Sequence, residues 1–386
     1  MTELAVSGPR RGRVRLSAVL GFALVHVLAL GVFFVGFSWT GLALCLGSYY
    51  LRMFAITAGF HRYFSHRTYH LSRVSQFLLA FLGQTSAQKG VLWWASNHRH
   101  HHRYSDRPED IHSPIQRGFW WAHMGWILSE DYQETDLSRV PDLAKYPELR
   151  WLDRHQFVPT IVYAVALYLA FGWTGLFWGY FLSTTILWHG TFTINSLMHL
   201  IGRRAYATTE DSRNNFFFAL ITMGEGWHNN HHWAPGSAAQ GFRWWQIDPS
   251  YYVLWVLERV RLVRDLHRPP ANWREAAHEA VRSGRAFTSA RLHTQVQALT
   301  RRWAELGASV RITAHDALVE LESARTGATA RLERLHEEAA EAGHRAGRRL
   351  DAIHHEIEHA RAHLVEILER LVTTAESLRA PQTLTG

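Results

Sequence analysis

Two stretches of the chain contain no Asp, Glu, Lys or Arg: Leu16 to Leu51, 36 residues, and His155 to Gly202, 48 residues. A transmembrane helix needs about 20 apolar residues, so each stretch has the length of a helical hairpin. Arg52 interrupts the first, whose apolar character resumes to Phe60. Small residues cluster with Trp39 near Ser38–Gly41 and with Trp173 near Gly172–Gly175. Trp favours the membrane–water boundary, so the turns are expected there. The expected fold class is therefore all-α integral membrane, with four transmembrane helices at about 16–37, 40–60, 156–172 and 175–197. A secretory signal over residues 10–37 fits less well, because the run is too long and has no small-residue cleavage site.

Charge sets the orientation. Arg10, Arg11, Arg13 and Arg15 precede the first stretch, Arg62 and Arg67 follow it, and Arg203 and Arg204 follow the second; neither turn is charged. By the positive-inside rule, both termini and segment 61–154 are expected to be cytoplasmic, in a multi-pass protein of the inner (cytoplasmic) membrane. Residues 271–386 hold 16 Arg and 16 acidic residues, so the formal net charge of +8 belongs to the apolar part, residues 1–270. Basic charge beside apolar spans, without a nucleic-acid fold signature, points to membrane lipid as partner and not to nucleic acid. A mean hydropathy of −0.17 is that of spans diluted by polar segments.

Three further features complete the layout. Arg52 inside a span costs about 2.5–3.5 kcal/mol on insertion scales; snorkelling to the cytoplasmic face is the expected solution. Val74 to Ala87 is too short to span and is expected as an interfacial or buried helix. After Pro269-Pro270 the composition shifts to Ala, Arg, Glu and His. Leu350, Ile353, Ile357, Ala360, Leu364, Ile367 and Leu371 step by 3 and 4, a heptad seam, preceded by a weaker one at Leu332, Leu335, Ala339, Ala342 and Ala346. The chain therefore divides into a basic N-terminus (1–15), a membrane domain (16–270) and an amphipathic helical or coiled-coil extension (271–386). The extension is expected to pack on itself, on a second copy or on a partner.

The chemistry lies in the histidines. Of 26, three boxes stand out: His61 and His66 in HRYFSH, His98, His101 and His102 in HRHHH, and His228, His231 and His232 in HNNHH. The HxxHH spacing puts three imidazoles on one helix face. His61 and His66 would be about 140° apart on an α-helix, so that box is expected at a helix end. Asn195 and His199 are four apart at the cytoplasmic end of the last span. All four groups fall on one side of the membrane. Nine imidazoles exceed the six positions of one octahedral ion, so two ions are implied; imidazole suits iron, zinc, copper and nickel. The single cysteine, Cys45, excludes a thiolate cage. His70, His100, His112, His123, His155 and His189 are expected as packing or supporting groups. His112 with Asp106 or Asp110 could orient ligands, and His355, His359 and His363 line one face of the tail as a solvated row.

HRYFSH, NHRHHH, NSLMH and GEGWHNNHH, set between and after two uncharged hairpins, closely resemble the membrane fatty acyl-CoA desaturases of the stearoyl-CoA desaturase type, over about residues 15–270. The resemblance implies four transmembrane helices under a cytosolic helical cap that holds a di-iron centre. Carried over residue by residue, it implies His61, His66, His98, His102 and His231 on one iron. It implies His101, His199, His228 and His232 on the other, with Asn195 joining through water. The implied reaction is O2-dependent insertion of a cis double bond, Δ9 by family default, into a long saturated acyl chain. An unactivated methylene offers acid–base catalysis no grip, so the cofactor supplies the oxidant and the protein supplies position.

Candidate substrate residues are Lys89, Trp94, Asn97, Arg103, Arg117, Trp126, Phe192 and Trp227, with Trp93 as a further wall. In the animal enzymes of that type a basic pair after the corresponding Gly-Trp stretch helps hold the coenzyme A head. Here Gly125-Trp126-Ile127-Leu128-Ser129 leads into Glu130-Asp131, and Ser96-Asn97 stands where Arg-Asp would precede the second box. Lys89, Arg103, Arg107 and Arg117 are the alternative cations for phosphates. An acyl-CoA is expected as substrate, with acyl carrier protein or a lipid-bound chain as alternatives. No His-Pro-Gly-Gly motif occurs, so no fused cytochrome b5 domain is expected, and electrons are expected from a separate ferredoxin- or reductase-type protein. The competing enzyme reading is a membrane di-iron fatty acid or alkane hydroxylase. The competing non-enzyme reading is a metal-binding scaffold acting through its tail.

Overall fold

The computed structural model describes residues 12–283 and the isolated positions 326, 327, 330, 331, 362 and 366. The expected heptad seams and the row His355, His359 and His363 lie outside the described residues. The chain divides into two compact units, Met1–Leu292 and His293–Gly386; the fold and the site described below belong to the first. Among the described residues there is no strand, only isolated bridges such as Val14 with Ser129 and Asn214 with Arg203 and Trp227.

Helix α1, Leu16–Ala29, is prolonged by a turn at Val32–Val35. It is apolar all round and leaves Leu20, Leu24, Val27, Phe33 and Phe34 exposed, as suits a lipid-facing helix. Gly36, at φ +75°, ends it. Ser38 then caps α2, Trp39–Phe54, its Oγ accepting from the Gly41 N–H at 2.9 Å. Helix α2 runs without a break into a π-helical segment, Ala55–Ser65. The interfacial helix expected near Val74 is α3, Arg73–Gln84, which buries Gln76, Ala80, Gly83 and Gln84 and exposes Val74 and Leu78.

By length and composition three helices can cross a membrane: Leu16–Val35, Trp39–Ser65 and Val158–His199. The third is 42 residues long and contains a backbone break. Gly172 sits at φ +58°, ψ −146°, where the second turn was expected. The arm after the break folds back on the one before it: Thr160 Oγ1 lies 2.5 Å from the Tyr180 hydroxyl. Gly175 abuts Leu167 so closely that a Cβ would stand 2.2 Å from the Leu167 carbonyl oxygen.

Arg52 does not snorkel. It is fully buried and turned inward. Its Nε donates to the Ser48 carbonyl at 3.1 Å, one terminal nitrogen to the Thr184 hydroxyl at 2.7 Å and the Thr85 carbonyl at 3.3 Å, and the other to the Ser183 hydroxyl. Its Cζ stands 5.2 Å from the Tyr163 ring centre. The groups that satisfy it, on Thr85, Ser183 and Thr184, are distant along the chain and are brought within reach only by folding.

The cap carries the main core. Ile56, Phe60 and Phe64 of the π segment pack with Leu92, Leu143, Leu149, Leu152 and Leu254. These come from α4, Val91–Tyr104, α5, Pro147–Arg154, and other cap helices. At the start of α4, Asp153 accepts the Leu92 and Trp93 N–H groups at 3.1 and 2.9 Å, an anion at a helix N-terminus. A Cβ on Gly90 would fall 2.0 Å from that carboxylate, so the cap contact needs glycine there. Helix α6, Val158–Thr174, is broken at Gly172, and the π segment Gly175–Leu182 that follows it runs directly into helix α7, Ser183–Ser196. Helix α8, His228–Trp233, carries the last box. Helix α9, Trp273–Arg282, opens the segment assigned to the extension, and its Ala277 packs with Tyr206, Ala234 and Phe242.

Removing Arg52 takes a buried donor away from two carbonyls and two hydroxyls and opens a void. Arg52→Ala is expected to destabilise the protein by about 2–4 kcal/mol, read as a lower melting temperature in detergent. An unchanged melting temperature would contradict the buried network.

Candidate metal centre

The first box is set by the π segment. A π turn closes from residue i to i+5, and here the His66 N–H donates to the His61 carbonyl at 3.3 Å. Ser65 makes the same reach with its hydroxyl, to the Phe60 carbonyl at 2.8 Å. Side chains five apart are thereby brought to one side, and the His61 and His66 rings stand 5.0 Å apart. The second box lies on the last two turns of α4, and the third is α8. His199 ends a 3-10 turn, Leu197–His199, that follows α7.

These elements bring the nine imidazoles into two groups. Ligand atoms of His61, His66, His98, His102 and His231 all lie within 4.8 Å of one another, and so do those of His101, His199, His228 and His232. Within the first group His61 Nε2 and His231 Nε2 are 2.9 Å apart, His66 Nε2 and His98 Nε2 2.8 Å, and His102 Nε2 and His231 Nε2 2.9 Å. Within the second, His199 Nε2 and His228 Nε2 are 3.1 Å apart, as are His228 Nε2 and His232 Nε2. Two imidazole nitrogens at right angles on one ion at about 2.1 Å stand about 3 Å apart. The donor spacing fits one ion per group.

Carboxylates hold the outer nitrogens. Glu225 Oε2 lies 2.5 Å from His61 Nδ1, both Asp110 oxygens lie 3.0 Å from His101 Nδ1, and Asp106 Oδ2 lies 2.8 Å from His199 Nδ1. Glu210 Oε1 stands 3.7 Å from His232 Nδ1. A proton kept on Nδ1 leaves the inner Nε2 with its lone pair free. Burial alone would raise the pKa of Asp106, Asp110 and Glu225. His199, His101 and His61 beside them, with Arg62 on Glu225, outweigh it and keep all three ionised. Burial and mutual repulsion hold His66, His98, His102, His228, His231 and His232 well below the usual 6.5. They are neutral near pH 7, the state that binds metal.

Both candidate aspartates thus meet a histidine ring, whereas His112 reaches Asp110 through its backbone N–H, at 3.2 Å, and not through its ring. Its Nδ1 has no hydrogen-bond partner, and its ring lies 4.3 Å from that of His101. Sequence reasoning missed Glu225 and Glu210. The signal for Glu225 is its place inside GEGWHNNHH, an acid buried two positions from the box's Trp227. His123 and His189 form a separate chain with His26: His26 Nε2 to His189 Nε2 and His189 Nδ1 to His123 Nε2 are each 3.0 Å.

A cavity of about 610 Å³ opens against the cluster, within the usual size of ligand sites. His61, His98, His101 and His228 form part of its wall. Of the candidate substrate residues, Lys89, Trp94, Asn97, Trp126 and Phe192 line it, as do Trp93 and Asn195. Arg103, Arg117 and Trp227 do not. Arg103 lines a separate depression with Arg107, His102 and His232. Arg117 stacks on Trp121 at 4.9 Å, and Trp227 is buried with its indole N–H on the Ile247 carbonyl at 2.8 Å. Arg15, Phe22 and Gln133 line the cavity without having been singled out.

The family model for fatty acid desaturases matches residues 37–262. An sn-2 palmitoyl-lipid 9-desaturase of Nostoc sp. (strain 36) is 35% identical over 272 residues, 68% of this chain and 94% of that protein. An acyl-CoA 5-desaturase of Anemone leveillei is 36% identical over 249 residues, 64% and 77% of the two chains. An sn-1 stearoyl-lipid 9-desaturase of Synechocystis sp. (strain ATCC 27184 / PCC 6803 / Kazusa) is 31% identical over 257 residues, 66% and 80%. With its histidine clusters and an apolar cavity beside them, the chain belongs to the fatty acid desaturase family.

Proposed function

We propose that the protein introduces a cis double bond, Δ9 by analogy with its lipid-desaturating relatives, into a long saturated acyl chain. One observation carries this reading: two groups of imidazole nitrogens, spaced for two ions, line an apolar cavity long enough to include residues from α1 to α7. His61, His66, His98, His102 and His231 would hold one iron, and His101, His199, His228 and His232 the other, with Asn195 beside them. Bound di-iron supplies, with O2 and two electrons from a separate redox protein, an oxidant able to take hydrogen from an unactivated methylene.

The rest is positioning. Glu225, Asp106 and Asp110 fix the tautomers and ring orientations of His61, His199 and His101. Trp94, Ile56 and Phe192 wall the chain, exclude water and decide which carbons lie against His98, His101 and His228. The Gly172 break supports reading the long third helix as a hairpin, giving four spans. The Arg-rich flanks and uncharged turns support a cytoplasmic centre and termini.

Glu225→Gln and Asp106→Asn are each expected to weaken iron binding about 10–100-fold, measured as iron per purified chain at limiting metal; full occupancy would contradict their role. Expression in a host with saturated lipids is expected to yield chains with one new cis alkene, located by gas chromatography–mass spectrometry, and His228→Ala to abolish it. Hydroxylated chains without alkene would overturn desaturation.

A further inference from the structure

The polar end of the cavity lies where the chain enters the membrane. Arg15, Ser17, Lys89 and Gln133 line it there. Arg15 is the last charge before the uncharged run, which sets its guanidinium at the level of lipid headgroups. Backbone bonds fix it: the Arg15 N–H donates to the Leu128 carbonyl at 2.8 Å, and the Glu130 N–H to the Arg13 carbonyl at 2.8 Å. Lys89 Nζ donates to Gln133 Oε1 at 2.7 Å and lies 4.9 Å from the Trp93 ring centre. Among the described residues, no carboxylate lies within ion-pair distance of Arg15 or Lys89.

From that end inward, α1 forms one wall. Ser17, Ala18, Gly21 and Phe22 face the cavity, while Leu16, Leu20, Leu24 and Val27 of the same helix are exposed. A Cβ on Gly21 would meet nothing within 4 Å. One helix with small residues on its inner side separates cavity and bilayer. A chain entering past α1 need not leave the membrane.

The surroundings disfavour a polyanionic carrier. Glu130, Asp131 and Glu134 are exposed on the loop beside the Arg15 segment. Coenzyme A, with several phosphate charges, or an acidic carrier protein would bring like charge against these carboxylates. The other cations suggested for that task are elsewhere: Arg103 and Arg107 line a different depression, and Arg117 is stacked on Trp121.

We propose that the acyl chain is presented still esterified to a membrane glycerolipid, whose single phosphate sits between Arg15 and Lys89. This rests on the desaturase reading. The test offers the iron-loaded full chain, with a ferredoxin and its reductase, three labelled substrates: stearoyl phosphatidylglycerol in vesicles, stearoyl-CoA and stearoyl-acyl carrier protein. The expected result is an alkene in the intact phospholipid and none in the other two. Arg15→Gln with Lys89→Gln raises KM for the vesicles about tenfold, with wild-type iron content as the check on folding. Conversion of stearoyl-CoA or the carrier-protein thioester instead of the phospholipid overturns the assignment and leaves the desaturase reading standing. An unchanged KM in the double variant overturns it as well. Conversion of none of the three overturns both.

Discussion

Imidazoles whose inner nitrogens stand 2.8–3.1 Å apart gain little from one another. A cation among each group turns that crowding into coordination. The rest of the arrangement follows from this. Ions held there would be far from bulk water, so the balancing charge must also be buried. Asp106, Asp110, Glu210 and Glu225 supply it around the outer nitrogens. Arg62, fully buried, bridges Glu225 and Asp248, with 2.9 Å to the latter, and ties the π segment to the last box. The asparagines of HNNHH serve the same end: Asn229 Oδ1 accepts the Ala205 and Tyr206 N–H groups, and Asn230 Nδ2 donates to the Gln240 carbonyl.

The membrane helices act as rulers for this cluster. Helix α2 delivers His61 and His66 through its π segment, and α7 delivers Asn195 and His199. Arg52 fixes their relative depth, because its hydrogen bonds join α2 to Ser183 and Thr184 at the start of α7 and to Thr85 at the end of α3. A charge that composition alone marks as a defect is the knot between α2, α3 and α7. The same packing leaves the cavity bounded on its lipid side by α1, the least buried of the apolar helices.

Much of this was legible in the sequence, for identifiable reasons. Uncharged runs are a direct consequence of lipid as solvent, so the long apolar helices could be read off, and the backbone breaks at Gly36 and Gly172 lie near the expected turns. The HxxHH spacing is tied to helix geometry, so the second and third boxes could be read as faces. The HRYFSH box was less legible: an α-helical count separates His61 from His66, and only the π turn reconciles them. Arg52 was misjudged because its partners are far away along the chain. Glu210 and Glu225 were missed because an acid's role as a histidine's partner depends on tertiary distance. Arg103, Arg117 and Trp227 were plausible by proximity to the boxes, yet a helix sends neighbours to opposite faces, and the cavity lies on only one of them.

The central claim is that nine histidines hold two ions in two defined groups. Anomalous diffraction at the iron edge from iron-loaded crystals tests it most directly. The account predicts two peaks per chain, one among His61, His66, His98, His102 and His231 and one among His101, His199, His228 and His232, each about 2.1 Å from the Nε2 atoms. A single peak, or peaks away from these rings, would contradict it.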